Sequence, residues 1–168
     1  MAASPTTAPA STRELSPAEL GAWRGLLRVH AALFKQLDAE LESAHGLPLS
    51  SYEVLIFLQS APDGKLRMAD LANRVVLSRS GMTRLVDRLE REGLLVREQC
   101  PADARGCFAV LTGKGAEYLD AARPTHLGGI RERFLGHFTE AELTLLGECW
   151  ERVLPGSAGP EASATPKP

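Results

Sequence analysis

A mainly helical domain carrying one small β-hairpin is the fold class that the sequence predicts, on three observations. Capping signatures precede five stretches of the chain. Apolar residues inside those stretches recur at steps of three and four. A single short region reads as two strands around a polar loop. The 168 residues, 44% hydrophobic and 24% charged, suffice for one domain with a core and exclude global disorder. The folded part is expected over residues 16–154. Residues 1–15 and 155–168, rich in Ala, Ser, Thr and Pro, read as a disordered arm and tail.

Ser16-Pro17-Ala18-Glu19 is a capping box with proline at the first helical position, where its missing N–H costs nothing. Leu20, Trp23, Leu27, His30, Phe34, Leu37 and Leu41 follow at steps of three and four. They make one apolar seam along a helix of roughly six to seven turns. Gly46 and Pro48 close it. A helix of that length serves either an intramolecular core or a partner chain, and the seam by itself leaves both open.

Ser50-Ser51-Tyr52-Glu53 and Thr139-Glu140-Ala141-Glu142 repeat the box, and Ser78 and Thr112 precede two further helical patterns. The helix from Ser51 carries Val54–Leu58 and ends by the turn Pro62-Asp63-Gly64. Met68 to Val75 reads as a short helix with Leu71, Ala72 and Val75 on one face, followed by a tight connection at Val76-Leu77. Met82, Leu85, Val86 and Leu89 mark the buried face of the next helix, which Gly93 ends. Leu94–Cys100 and Cys107–Leu111 read as strands around a polar tip at residues 101–106. The helix from Thr112 carries Tyr118, Leu119 and Ala122, is expected to break or kink at Pro124, and resumes with Leu127, Ile130 and Phe134. A last helix presents Leu143, Leu146, Trp150 and Val153, with Cys149 read as core.

Several function classes are excluded. A net charge of −2 rules out a polybasic protein, though not a local basic face. Three cysteines without a CxxC pair argue against a disulfide scaffold or zinc ribbon and suit a reducing compartment. The longest apolar run, Val54–Leu58, is far short of a membrane span, and the N-terminus lacks the apolar core of a secretory signal. A soluble cytoplasmic protein is expected, with no membrane partner. His30, His45, His126 and His137 have no metal-ligand spacing with one another or with the cysteines. No Ser/His/Asp order, phosphate loop or paired-carboxylate signature is present. Neither catalysis, a metal nor a cofactor is expected.

Two short helices joined by a tight turn and followed at once by a hairpin are the parts of a winged helix-turn-helix. Charge placement agrees. Between Lys65 and Arg105 nine basic residues face six acidic ones, a local +3 that leaves −5 on the rest. That asymmetry is the footprint of a phosphate-binding surface. Opposite Met82, Leu85, Val86 and Leu89 the same helix carries Arg79, Ser80, Thr83, Arg84, Asp87, Arg88 and Arg91. Arginine grips guanine O6 and N7 bidentately, and short hydroxyl side chains reach base edges or phosphates. The expected DNA-binding residues are therefore Ser78, Arg79, Ser80, Thr83, Arg84 and Arg88. Arg105 at the hairpin tip is placed for the adjacent minor groove or its phosphates, with Asp103 pairing an arginine to pin the loop. The competing view, solvated charges in i,i+4 pairs on an ordinary surface helix, leaves the adjoining turn and hairpin without a role.

Residues 66–115 resemble the multiple-antibiotic-resistance regulator (MarR) family of bacterial transcription factors. The resemblance rests on Leu71-Ala72, the run Leu77-Ser78-Arg79-Ser80-Gly81-Met82-Thr83-Arg84-Leu85-Val86-Asp87-Arg88-Leu89-Glu90, and Gly93-Leu94-Leu95. In the wing it continues with Asp103-Ala104-Arg105-Gly106, Leu111-Thr112 and Gly115. Helix lengths and order extend it to about residues 16–154. Gly81 inside the recognition helix departs from good helix propensity by about 1 kcal/mol relative to alanine, and Pro124 interrupts the fifth helix.

The resemblance implies a homodimer built from the N- and C-terminal helices, about residues 16–45 and 113–154, with a DNA-binding lobe at about 50–112. Each subunit would set one recognition helix and one wing on a pseudo-palindromic operator. It also implies a repressor released by a small aromatic or anionic effector held between the dimer helices and that lobe. Trp23, His30 and Phe34 are the candidate effector contacts, His30 being either a ligand partner or a packed seam residue. A redox-sensing regulator is the alternative, since Cys100 and Cys107 flank the wing and are expected to face each other or nearly so. A protein–protein adaptor without DNA would not need the arginines at 79, 84, 88 and 91.

Overall fold

The computed structural model describes residues 13–75, 79–100 and 103–157, with the side chains of Arg79, Ser80, Cys100 and residues 103–105 left out. Most of the expected arm and tail, the Val76-Leu77 connection and the Ser78 cap thus lie outside the described residues. Helix α1 spans Pro17–His45 and starts with the expected reciprocal box. Ser16 Oγ accepts from the Glu19 N–H at 3.2 Å while Glu19 Oε2 accepts from the Ser16 N–H at 2.6 Å. Gly46, at φ +75°, ends the helix by donating its N–H to the Glu42 carbonyl at 2.9 Å.

Helix α2 spans Leu49–Ser60, and here the expected Ser50 box does not form. The helix begins directly after Pro48, and the Leu49 N–H is taken at 2.8 Å by Asp38 Oδ1, a carboxylate on α1. A cap from a neighbouring helix replaces the local one, and Ser51 is turned into the core. Strand β1, Lys65–Arg67, follows, then α3, Met68–Arg74, and α4, Arg79–Arg91. Strands β2, Leu95–Cys100, and β3, Asp103–Leu111, make the hairpin.

The sheet is antiparallel with order β1-β3-β2, pairing Leu66 with Ala109 and Arg97 with Ala109 from the other side. The hairpin tip is shorter than the predicted six residues, because pairing continues out to Cys100 and Asp103. A strand that leaves the core carries polar side chains on both faces, so its outer part has no hydrophobic alternation to read.

Helix α5 runs unbroken over Gly113–Arg133, with Pro124 inside it. The expected break is absent. Proline removes one backbone bond there, and α1 holds the helix around and beyond it. His45 Nε2 lies 2.9 Å from Thr125 Oγ1, and Arg133 pairs with Glu40. A Cβ on Gly129 would meet Leu37 Cδ2 at 2.7 Å, so its absence lets the two helices close up. Helix α6, Glu140–Val153, starts with the Thr139 box as expected.

The core gathers Leu37 and Leu41 of α1, Tyr52, Val54, Leu55 and Leu58 of α2, and Leu71 of α3. It also takes in Met82, Leu85, Val86 and Leu89 of α4, Leu95, Ala109, and Leu119 and Ala122 of α5. The α1 seam divides. Leu37 and Leu41 are buried within the chain, whereas Trp23, Leu27 and Phe34 are 54%, 50% and 39% exposed. Helix α6 contributes no buried residue among those described, and Cys149, read as core, is only half-buried. Leu145, Trp150 and Val153 are exposed with it.

Candidate nucleic-acid interface

Helix α4 is set by its apolar face. Met82, Leu85, Val86 and Leu89 are all under 9% exposed, which turns Thr83 and Arg84 outward. Arg84 has no hydrogen-bond or ion-pair partner among the described residues, so its guanidinium is available to an external acceptor. Arg91 is exposed as well, its Nε donating to the Asp87 carbonyl at 3.3 Å.

Arg88, expected toward DNA, is bonded within the chain at a partly exposed position. Its Nε donates to Glu92 Oε1 at 3.1 Å and its Nη2 to the Gly46 carbonyl at 3.2 Å, across the junction between α4 and the end of α1. Sequence spacing placed it on the polar face without revealing that a helix end lies within reach of that face.

Arg97 on β2 was legible only as one more positive charge. Its Nη2 meets Asp87 Oδ1 at 2.5 Å, its Nη1 meets Glu90 Oε2 at 2.5 Å, and its backbone N–H donates to Glu90 Oε1 at 3.0 Å. Burial alone would lower the Arg97 pKa, but the bonds to Asp87 and Glu90 hold it above the ordinary guanidinium value. One cation is thereby shared by two of the acids between Lys65 and Arg105, offsetting one of their two charges. On the other side of β3, Lys65 and Arg67 place their cations 5.7 and 5.5 Å from the Phe108 ring centroid. Sequence spacing did not single them out, since a three-residue strand has no periodicity of its own.

Ser78 lies outside the described residues, as do the side chains of Arg79, Ser80, Asp103 and Arg105. Cys107 pairs in register with Gln99, and Cys100 with Asp103 across a register shift. The two cysteines are therefore not cross-strand partners.

A cavity of about 540 Å³ lies between α2 and α5, lined by Tyr52, Glu53, Phe57, Arg123, His126 and the segment Leu154–Ser157, among others. Trp23, His30 and Phe34 do not line it. His30 and Phe34 contact each other at 6.1 Å between ring centroids. Burial pushes the Glu53 carboxyl up, with His30 opposing and Asp38 reinforcing. Burial lowers His126. The Tyr52 and His126 rings are 4.5 Å apart, and neither Tyr52 Oη nor His126 Nδ1 has a partner among the described residues. Arg123 donates to Gln59 Oε1 at 2.6 Å. The cavity is apolar, with hydroxyl, imidazole, guanidinium and carboxyl groups at its edge, a composition suited to a small organic ligand. Its α2 and α5 residues lie more than 60 positions apart in the chain, which no local motif announces. Among the described residues no cluster of His, Cys, Asp and Glu suits a metal, and no helix is long and apolar enough to cross a membrane.

Residues 45–106 match the sequence model of the MarR family. The chain is 37% identical over 114 residues to the uncharacterized HTH-type transcriptional regulator YkoM of Bacillus subtilis, spanning 66% of this chain and 73% of that protein. The HTH-type transcriptional repressor YetL of the same organism is 26% identical over 138 residues, spanning 77% and 83%. Among solved structures, Sco3205, a MarR family transcriptional regulator from Streptomyces coelicolor in complex with DNA, superposes with a TM-score of 0.81 at 34% identity. That match covers 88% of this chain and 92% of that one.

Proposed function

The chain belongs to the MarR family of DNA-binding transcriptional regulators, and from that premise we propose that it acts as a cytoplasmic homodimeric repressor released by a small-molecule effector. One observation carries the DNA-reading part. Thr83 and Arg84 stand exposed on α4 directly opposite the apolar face that anchors the helix. Lowered into a major groove, that helix gives bases an arginine fork and a hydroxyl, while Ser78, Arg79 and Ser80 at its start serve neighbouring phosphates or base edges. Arg105 extends the contact to the flanking minor groove or its phosphates, with Asp103 steadying the loop. Arg88 acts instead as an internal strut.

The exposed Trp23, Leu27 and Phe34 of α1 and Leu145, Trp150 and Val153 of α6 support a second copy as the partner. Apolar surface of this kind on two terminal helices is stabilised by burial in an isologous interface. Two copies bring two recognition helices to half-sites of a pseudo-palindrome. The cavity between α2 and α5 suits an aromatic or anionic effector, with Arg123 as counter-charge and Tyr52 and His126 as hydrogen-bonding groups. His30 stands near enough to the lining residue Glu53 to oppose the rise of its pKa. An occupant wedged there changes the angle between the dimer helices and the DNA-binding lobe, and a shift of a few ångströms costs contacts at both half-sites. The similarity to YetL, a transcriptional repressor, favours repression as the resting output.

Selection of bound duplexes from a random pool tests this reading. The expected product is two inverted half-sites about 10 base pairs apart or a multiple of that. Arg84→Ala should then lose about 1–3 kcal/mol on the selected site and relax its sequence preference. Arg105→Ala should weaken all sequences evenly and lower the salt slope by about 1. A pool that returns no enriched sequence, from a protein that sediments as a monomer, overturns the proposal.

A further inference from the structure

The geometry points to Arg97 as a positioning residue that sets the wing relative to the recognition helix and masks two carboxylates that α4 would otherwise hold beside the duplex. This inference rests on α4 being the groove-reading helix. Asp87 follows Arg84 by three positions and Thr83 by four, so it stands on the same side of α4 as both. Its side chain is 49% exposed. A free carboxylate there would repel phosphates through the low-dielectric gap of a protein–DNA interface.

Arg97 offsets one of the two negative charges on Asp87 and Glu90 and does so with defined geometry. One nitrogen takes Asp87 and another takes Glu90, each at 2.5 Å, and the main-chain N–H takes the second oxygen of Glu90 at 3.0 Å. A strand residue bound to a helix through both its backbone and its fork is limited in sliding and in rotation together. Arg97 is also paired in register with Ala109 of β3, the strand that carries Asp103 to Gly106 out along the wing. The helix that meets bases and the strand that bears Arg105 thus share one polar joint. Its side chain is 26% exposed, so the joint is partly withdrawn from solvent screening.

A purely structural ion pair changes stability. A positioning joint changes the ratio between binding to the operator and binding to arbitrary DNA. The experiment measures that ratio with the full-length protein, using the duplex recovered by selection and a random-sequence duplex of equal length. Arg97→Lys keeps the charge and loses the fork. It should hold random-duplex binding within about twofold and lose about tenfold in the ratio. Arg97→Met unmasks both acids and should weaken both duplexes. Adding Asp87→Asn and Glu90→Gln to Arg97→Met takes the joint from the parent's net −1 to zero, so random-duplex binding should recover to the parent's level or above while the ratio stays reduced.

A folded Arg97→Lys variant with an unchanged ratio overturns the inference. So does a triple variant in which both affinities return, since charge alone would then account for the effect. If Arg97→Met does not fold, Arg97→Lys and the charge-free triple variant decide the matter. Arg84→Ala serves as the control. If it leaves operator preference intact, the groove-reading assignment of α4 has failed; if it relaxes preference while the Arg97 variants keep the ratio, only the joint has failed.

Discussion

Arg88 Nη2 donates to the carbonyl oxygen of Gly46 at 3.2 Å, joining the recognition helix to the residue that caps α1. The same side chain holds Glu92 at 3.1 Å, so the guanidinium bridges two helix ends. Arg88→Ala is therefore expected to lower stability by about 1 kcal/mol, the usual net worth of such a bond at a partly exposed site. The loss should appear as a lower denaturant midpoint with an unchanged slope. Base preference in the selected operator should be retained, in contrast to Arg84→Ala. An Arg88→Ala protein of unaltered stability that has lost sequence preference would return Arg88 to the DNA-facing set.

Gly115 occupies a position where backbone meets backbone. A Cβ built there would lie 2.1 Å from the Leu94 carbonyl oxygen and 2.7 Å from Leu111 Cδ1. The start of α5 can approach the sheet only without a side chain, so Gly115→Ala should destabilise by about 1–3 kcal/mol. Gly128, on the same helix, has nothing within 4 Å of its would-be Cβ. Gly128→Ala should therefore stabilise by about 0.4–1 kcal/mol through reduced chain entropy and better helix propensity. Thermal unfolding of the two variants side by side checks both signs.

The elements whose signals are local were legible. Ser16, Thr112 and Thr139 cap their helices because the acceptor and the N–H it serves lie three residues apart. The α4 face was readable because burial on one side imposes a period. What escaped reading depended on distant partners. Leu49 starts α2 because Asp38, eleven residues back on another helix, accepts its N–H. Arg88 and Arg97 looked like surface cations because composition does not reveal that Gly46, Asp87 and Glu90 stand beside them. The division of the Trp23–Leu41 seam between an internal core and an open face depends on where α1 runs past the rest of the domain, which periodicity does not encode.

Tyr118 offers a test of an unmade hydrogen bond. Its hydroxyl is buried without a partner among the described residues. Burial, with Glu92 and Tyr52 adding and Arg88 opposing, pushes its pKa up to about 12. Replacing an unsatisfied buried hydroxyl by hydrogen removes a desolvation cost without losing a bond, so Tyr118→Phe should be neutral or stabilising by up to about 1 kcal/mol. Chemical denaturation of the variant checks the sign. A clear loss would mean that the hydroxyl is satisfied in solution.

His126 makes stability depend on pH in a direction that can be worked out. Burial lowers its pKa from 6.5, so the folded chain binds fewer protons there than the unfolded one. Its contribution is complete above 6.5 and is lost as pH falls through that value toward the lowered one. Glu53, in the same cavity, runs the other way. Its pKa is raised from 4.5, so its contribution is complete below 4.5 and is lost as pH rises through that value toward the raised one. Tyr52 also lines the cavity, and burial pushes its hydroxyl up from 10.0, so it keeps its proton throughout this range. His126→Phe should therefore flatten the loss of stability between about pH 7.5 and 5.5, while the opposing contribution of Glu53 develops as pH falls toward 4.5. Glu53→Gln should steepen the acid loss that His126 causes. Denaturant midpoints at those two pH values and at 4.5 for the three proteins separate these contributions. A His126→Phe variant with the parent's pH slope would show that this imidazole is hydrated or already protonated in the folded chain.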